Sequence, residues 1–225
     1  MRTARHVPAD QGVLPYHRVL AATFESMVPD GGSVLDVGCG NGALLGLIAG
    51  RRPDLRLAGI DGDPLMVELA AESTGADVDV VDLDDLDAAT VGRFDAVVCC
   101  HVLEHLTRPL DVLVAMRSSL TDRGRAVLAV PNLVSPIPII NAAARREAAN
   151  EGHLYGWDRP HFQQLLRAAG LDVERWVTDS VQVVPGRNRE NVPDWVDRFQ
   201  VALGRAMPYL CESLISVTRP QPESA

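Results

Sequence analysis

The sequence VLDVGCGNGALL, Val34–Leu45, contains the first strand–turn–helix pattern of the chain. Its opening residues, Val34, Leu35 and Val37, form a short apolar run typical of a buried strand. Three glycines follow at alternate positions (Gly38, Gly40 and Gly42), and apolar residues then recur at helical spacing. Glycine allows positive φ and close approach of the backbone to a ligand. The stretch therefore predicts a strand, a tight turn and a helix whose N-terminus faces a ligand.

The glycine spacing indicates which kind of nucleotide this turn binds. A dinucleotide turn has the spacing G-x-G-x-x-G, whereas this chain has G-x-G-x-G with Asp36 two residues before the first glycine. A carboxylate there repels a pyrophosphate but suits a ligand with an amino group. The segment resembles motif I of the class I S-adenosylmethionine (SAM) methyltransferases. The resemblance implies that Asp36, Gly38 and Gly40 hold the methionine end of SAM, which carries the cationic sulfonium.

Length and composition limit the remaining possibilities. The chain has 225 residues, 47% of them hydrophobic, which predicts a single domain over residues 1–225. Its net charge of −9 argues against a nucleic-acid partner. The four cysteines lack the spacing of a zinc ribbon or a redox pair, so we expect reduced thiols. We see no signal peptide or membrane-spanning run, and expect a cytoplasmic monomer or homodimer with no membrane partner.

Regularly spaced strand and helix patterns predict the architecture. We expect an α/β, Rossmann-like, doubly wound sheet of seven mostly parallel strands, with helices on both faces. The resembling family implies that the last strand is antiparallel. The predicted strands are residues 34–37, 55–60, 77–81, 94–100, 125–130, 171–177 and 210–218.

Acidic residues end the second and third predicted strands. Asp61, followed by Gly62, can accept both ribose hydroxyls of a nucleoside, although the same residue would serve NAD. Asp63 is expected to cap the next helix. The resemblance implies that Asp82 bonds the adenine amino group and that Leu83 packs on the ring. The acidic residues that follow are expected to form a solvated loop (Asp84, Asp85 and Asp87).

The fourth predicted strand leads into a second recognisable segment. FDAVVCCHVLEHL, residues 94–106, resembles the ubiquinone-type and related small-molecule methyltransferases. His101 is expected near the cofactor, because ligands bind at the carboxyl ends of such strands. Glu104 and His105 either brace the following helix or serve the active site. His101 and His105 are four residues apart and can face one side of a helix, but a cap and a cofactor contact account for them, and we expect no metal.

The segment from about residue 133 to residue 157 departs from a plain strand–helix repeat. Its SPIPII run cannot be a central strand because prolines lack the required donors, and a helix is predicted over residues 141–150. We interpret the segment as a substrate lid. Residues predicted to line the acceptor pocket are Tyr16, Asn132, Tyr155 and Trp157. For Tyr16, a half-buried packing role is the alternative.

His153 is the predicted general base. An imidazole with a pKa near 6.5 suits proton transfer at neutral pH. GHLYGWDRPHFQQLLRAAGLDVE, residues 152–174, resembles small-molecule and sugar methyltransferases, in which a histidine opens this segment. A structural hydrogen bond that pins the lid is the alternative role for His153, and His161 is expected to be structural.

These observations predict SAM-dependent methyl transfer to a hydroxyl of a small molecule, such as a sugar or glycoside. The alternatives are transfer to nitrogen or to a carboxylate of a natural-product small molecule. A nicotinamide-dependent oxidoreductase is disfavoured by the glycine spacing and by Asp36. A SAM-binding module without transferase activity is disfavoured by the intact cofactor motifs.

Overall fold

The computed structural model describes residues 15–143, 152–182 and 194–222. Seven strands form one sheet in the order β3-β2-β1-β4-β5-β7-β6. Strand β7 is antiparallel to both of its neighbours, and the other pairs are parallel, as predicted. The strands are β1 Ser33–Val37, β2 Arg56–Asp61, β3 Asp77–Val80, β4 Phe94–Cys100, β5 Leu120–Pro131, β6 Leu171–Val177 and β7 Ser213–Pro220.

Helices cover both faces of this sheet. They are α1 Pro15–Phe24, α2 Ala43–Arg51, α3 Pro64–Thr74, α4 Ala88–Val91, α5 Pro109–Ser118, α6 Pro136–Ala143, α7 Arg159–Ala168 and α8 Asp194–Ala206. Val97 packs with the α5 and α7 side chains, whereas its neighbour Val98 packs with α1 and α2. This alternation follows from the two-residue period of a strand. The central strands are therefore buried on both sides.

Strand β5 is longer than the sequence predicts. It begins at Leu120 instead of Arg125, and its pairing with β4 shifts register between Phe94 and Ala96. Gly124 lies within this strand. A Cβ at Gly124 would come within 2.9 Å of the Thr121 nitrogen and 3.0 Å of the Phe94 oxygen. Glycine is therefore required by close strand contact at the register shift, a tertiary cause that local pattern does not reveal.

The segment after β5 begins with a helix, α6, which includes the two prolines of SPIPII. Prolines are tolerated in a first helical turn because those N–H groups have no intrahelical partner. The exclusion of a strand is thus confirmed, but the helix begins five residues earlier than predicted. Most of the predicted helix over residues 141–150 lies outside the described residues.

Candidate active site

The glycine turn lies at the point where the strand order reverses, between β1 and β4. The backbone nitrogens of Gly38 and Cys39 both donate to the Ile60 oxygen, at 2.7 and 3.1 Å. Gly38 has φ 79°, and a Cβ there would lie 2.3 Å from Cγ2 of Val102. The turn after β1 therefore packs directly on the segment after β4.

Gly40 has a different role from its two neighbours in the motif. Its nitrogen donates to Oδ2 of Asp61 at 2.9 Å, and a Cβ built on it would meet nothing within 4 Å. By contrast, a Cβ on Gly42 would come 3.0 Å from the Ala70 backbone in α3. Gly38 and Gly42 are thus needed for packing, whereas a Cβ at Gly40 would point into open space.

Asp36 is a buried carboxylate at the end of β1. It is 2% exposed, and burial together with nearby Asp61 raises its pKa to about 7. A cationic ligand group beside these two acids would favour the ionised form of Asp36. Asp36, Asp61 and the open face of Gly40 therefore suit a cofactor with an ammonium group and a nucleoside.

Asp61 connects the glycine turn to α3. Oδ2 accepts from Gly40 and Oδ1 accepts from the Asp63 nitrogen, both at 2.9 Å. A carboxylate has about four lone-pair sites, so acceptor capacity for ribose hydroxyls remains. Asp63 caps α3 as predicted, accepting from the Leu65 nitrogen. A Cβ on Gly62 would only touch the Val81 oxygen at 3.7 Å, so packing does not demand a glycine there.

The predicted adenine contacts lie after β3. Asp82 caps a 3₁₀ turn by accepting from the Asp84 nitrogen at 3.1 Å, and Leu83 is 8% exposed, largely within the core. The expectation of a simple solvated loop is wrong for Asp84. Its Oδ1 accepts from the Thr107 and Arg108 nitrogens, at 2.9 and 3.1 Å. The acidic run is thus tied to the start of α5.

His101 ends β4 with an unusual backbone conformation, φ 55°. Its Nε2 lies 3.1 Å from the Ser213 hydroxyl, and its Nδ1 lies 3.4 Å from Oε1 of Glu104. The ring of Tyr16 packs against it with centroids 4.6 Å apart. His101 and Tyr16 therefore meet at the carboxyl edge of the sheet.

Glu104, His105 and His153 form a compact group that we call the EHH cluster. One ligand atom from each lies within 4.8 Å of the others. Leu154 and Tyr155 donate to the Glu104 backbone oxygen at 2.7 and 3.3 Å, which brings the His153 segment alongside. Tertiary contact thus joins two motifs that are about 50 residues apart in the sequence.

Each member of the cluster has a distinct environment. Glu104 is 1% exposed, and neither of its carboxylate oxygens has a hydrogen-bond partner among the described residues. Nδ1 of His105 lies 3.1 Å from the Gly152 oxygen, and the His105 and His153 rings meet edge to face at 4.8 Å. Burial lowers the pKa of the His153 imidazole, which favours its neutral form.

The helical arrangement considered for His101 and His105 is wrong. Leu103–His105 forms a single 3₁₀ turn, so the two rings do not share a helical face. His101 faces Ser213 and Tyr16, whereas His105 faces Gly152 and His153. The cluster that can hold an ion uses Glu104 and His153 instead.

The other predicted acceptor-pocket residues differ in their exposure and in their contacts. Asn132 is 1% exposed and its amide donates to the Tyr209 and Cys211 oxygens, at 2.9 and 2.8 Å. Both of its donor hydrogens are therefore used within the protein, which gives Asn132 a structural role. Trp157 is 7% exposed, and Tyr155, at 43%, stacks on it with centroids 5.8 Å apart.

Two polar residues near His101, Ser213 and Asp179, were not predicted from the sequence. Ser213 bonds His101 through its hydroxyl, and its backbone nitrogen donates to Oδ2 of Asp179 at 3.1 Å. Asp179 is 2% exposed, Oδ1 has no hydrogen-bond partner among the described residues, and burial raises its pKa to about 6. No local motif marks these positions, because pairing of β7 with β5 places Ser213 and a hydrogen bond from Ser213 joins Asp179 to it.

Comparison with known proteins gives the class. The model of a family described as "Methyltransferase domain" matches residues 14–175, and the chain belongs to this family. The ubiquinone biosynthesis O-methyltransferase of Xanthomonas axonopodis pv. citri is 33% identical over 196 residues, covering 80% of each chain. A relative of the same name from Xanthomonas campestris pv. campestris is 37% identical over 165 residues, 65% of this chain and 68% of the relative.

Solved structures give the same fold. A TehB-like SAM-dependent methyltransferase of Corynebacterium glutamicum has a TM-score of 0.60 at 21% identity, covering 95% of this chain and 91% of the other. Magnesium protoporphyrin IX methyltransferase of Synechocystis, solved with bound S-adenosylhomocysteine (SAH), has a TM-score of 0.62 at 15% identity, covering 92% and 84%. The predicted Rossmann-like fold, class I methyltransferase family and SAM cofactor are confirmed.

The described helices give one further finding about the membrane. Within residues 15–143, 152–182 and 194–222, no helix combines the length and apolar composition needed to span a bilayer.

Proposed function

We propose that this methyltransferase transfers the methyl group of SAM to a hydroxyl of a small molecule. The observation that carries the proposal is the EHH cluster, which begins in the segment after β4 that packs on the glycine turn. Methylation of a hydroxyl requires a group that removes its proton. An amine with a free lone pair, or a carboxylate, would need no such group. The O-methyltransferase names of the two Xanthomonas relatives agree with this choice.

Four side chains and one open backbone position are proposed to hold the cofactor. Asp36 would face its ammonium group, Asp61 its ribose, and Asp82 its adenine, with Gly40 against the methionine end and His101 beside the cleft. When bound, SAM supplies an electrophilic methyl group: an acceptor oxygen forms the new C–O bond while the S–C electrons stay with sulfur, leaving SAH. The protein contributes mainly by positioning the reactants.

His153 is proposed to take the acceptor proton in the metal-free protein. Its neutral imidazole has a lone pair available, and the Glu104 carboxylate next to it would stabilise the imidazolium that forms. The acceptor hydroxyl thereby becomes a better nucleophile as its proton moves to the ring. The hydrogen bonds from the Leu154 and Tyr155 nitrogens to the Glu104 oxygen would position the imidazole.

The acceptor is proposed to have a ring with an apolar face, as sugars, glycosides and aromatic rings do. Tyr155 offers a partly exposed aromatic face that is held against Trp157. The proposed lid also contains several exposed apolar side chains (Leu133, Val134, Ile139, Ile140 and Leu154). The lid, residues 133–157, is proposed to close over the acceptor within a single domain.

Transfer of radiolabelled methyl groups from SAM to a panel of hydroxyl, amine and carboxylate acceptors tests the proposal. Label in hydroxyl acceptors is expected. Label in amines alone would contradict O-transfer. SAM binding without transfer to any acceptor would indicate a binding module instead of an enzyme.

Replacing His153 tests the proposed proton acceptor. His153→Ala is expected to keep SAM affinity and to lower turnover by about 10²–10⁴-fold, the usual contribution of a positioned base. His161→Ala is the matched control, because His161 is exposed at the start of α7 and its Nδ1 lies 2.7 Å from Oδ1 of Asp158. Full turnover in His153→Ala would show that the proton is removed elsewhere.

A further inference from the structure

We propose that the EHH cluster, Glu104, His105 and His153, binds a divalent transition-metal ion. Ion binding can be measured without methyl transfer, whereas its catalytic consequence rests on the proposed function. The proposal stands on the cluster geometry and on the unsatisfied carboxylate at its centre.

Glu104 supplies the observation that points to an ion. Its carboxylate is 1% exposed, both oxygens lack hydrogen-bond partners among the described residues, and it lies within the cluster. A buried carboxylate without hydrogen bonds is costly to a fold unless it is paired or binds a metal. Nδ1 of His101 lies 3.4 Å from Oε1 of Glu104, but this contact does not meet hydrogen-bond geometry. A cation bound by the cluster would satisfy both oxygens.

The backbone holds the three ligands in a defined arrangement. Glu104 and His105 share one 3₁₀ turn, and the Leu154 N–H bonded to the Glu104 carbonyl fixes the His153 segment. The Gly152 carbonyl near Nδ1 of His105 can only accept, so this contact places the proton on Nδ1. Nε2 then carries the lone pair that a metal needs. Such a second hydrogen bond is usual for metal-ligating histidines.

The ligand chemistry selects the class of ion. Two imidazoles and one carboxylate suit first-row transition metals, whereas Mg²⁺ and Ca²⁺ favour all-oxygen sites. Three protein ligands leave at least one coordination position open.

The open position gives the ion a role in the proposed reaction. An acceptor hydroxyl bound there would have a lowered pKa and would release its proton to a solvent base before its oxygen takes the methyl group. In the metal-loaded protein, His153 uses its lone pair for the ion. Its part as direct proton acceptor is then confined to the metal-free protein.

Metal titration of the full, tag-free chain after chelator treatment tests the site. Calorimetry with Mn²⁺, Co²⁺, Zn²⁺ and Mg²⁺ is expected to show one transition-metal ion per chain and much weaker Mg²⁺ binding. Co²⁺ is also expected to give a visible absorption band from imidazole and carboxylate ligands. Glu104→Gln, His105→Ala and His153→Ala are each expected to weaken binding by about 100-fold or more. His161→Ala should bind like the wild type.

A SAM-induced thermal shift reports whether each variant is folded. Failure of a wild-type chain that binds SAM to bind any ion would overturn the metal site and leave the proposed function standing. Equal ion binding by the three cluster variants would also overturn it, since the ion would lie elsewhere. Conversely, ion binding lost in the variants, combined with no methyl transfer by the wild type, would support the site and contradict the proposed function.

Discussion

Asp36 shows how one buried side chain can connect stability, pH and cofactor binding. Its pKa is raised from 3.8 to about 7, so the folded chain binds this proton more tightly than the unfolded chain. The contribution of Asp36 to the free energy of unfolding therefore falls as pH rises from 3.8 towards 7. A cationic ligand beside the carboxylate would offset that loss.

SAM affinity is accordingly expected to increase between pH 6 and pH 8. Below a pKa of about 7, binding the cationic cofactor must release the Asp36 proton, which weakens binding by up to about tenfold per pH unit. Calorimetry at both pH values measures the change. In Asp36→Asn, affinity should be low and nearly independent of pH, while the free energy of unfolding at pH 8 rises. An unchanged affinity in this variant would remove Asp36 from the cofactor site.

Gly38 is predicted to be a packing position. Gly38→Ala places a Cβ against Val102 at positive φ, so we expect a loss of about 2–4 kcal/mol in the free energy of unfolding. Removing the Val102 methyl groups makes room, so the double variant Gly38→Ala/Val102→Ala should recover part of that loss. Urea unfolding of the two single variants and the double variant measures the coupling.

Gly40 is the matched comparison for Gly38. A Cβ at Gly40 meets open space at φ 53°, so Gly40→Ala should lose only about 1–2 kcal/mol of stability. The added methyl group would instead point into the proposed cofactor cleft. In Gly40→Ala, the loss in the free energy of SAM binding should therefore exceed the loss in the free energy of unfolding. A large stability loss with normal SAM affinity would contradict this assignment.

At the scale of elements, Asp84 links the loop after β3 to the N-terminal end of α5. One carboxylate oxygen accepts two backbone N–H groups, from Thr107 and Arg108. Asp84→Ala leaves both donors without this partner, so we expect a loss of about 1–3 kcal/mol in the free energy of unfolding. Asp84→Asn keeps an acceptor oxygen and should lose less. Equal losses in urea unfolding would indicate that charge, not the hydrogen bonds, matters.

Local pattern predicted most elements but not two that depend on neighbours. The apolar runs of β1 and β2 and the helical spacing of apolar residues in α2 and α3 were sufficient to predict these four elements. The early start of β5 arises from pairing of Leu120 with Phe94. The presence of Gly124 in the sequence does not reveal this pairing. Prolines that exclude a strand also fit the first turn of α6, so pattern alone misplaced that helix.

At the scale of the whole molecule, thiol reactivity should report global unfolding. Cys39, Cys99 and Cys211 are buried, Cys100 is partly buried, and burial raises the pKa of Cys211 to about 12. All four thiols should react slowly with a disulfide reagent in the native protein and rapidly in guanidinium. SAM should slow the native reaction further, because ligand binding lowers the unfolded population. A fast-reacting thiol in the native chain would contradict the described packing.

The sequence by itself determined the fold class, the order of the strands along the chain and the glycine turn with its acidic partners. These features are local, since periodicity, glycine spacing and strand-end acids each act over a few residues. Only the tertiary structure decided how distant side chains meet. Glu104 and His153 join through a backbone hydrogen bond between remote segments, and Asp179 reaches the site through Ser213. The tertiary structure also fixes the buried orientation of the Asn132 amide, because this amide donates to backbone carbonyls of a later segment.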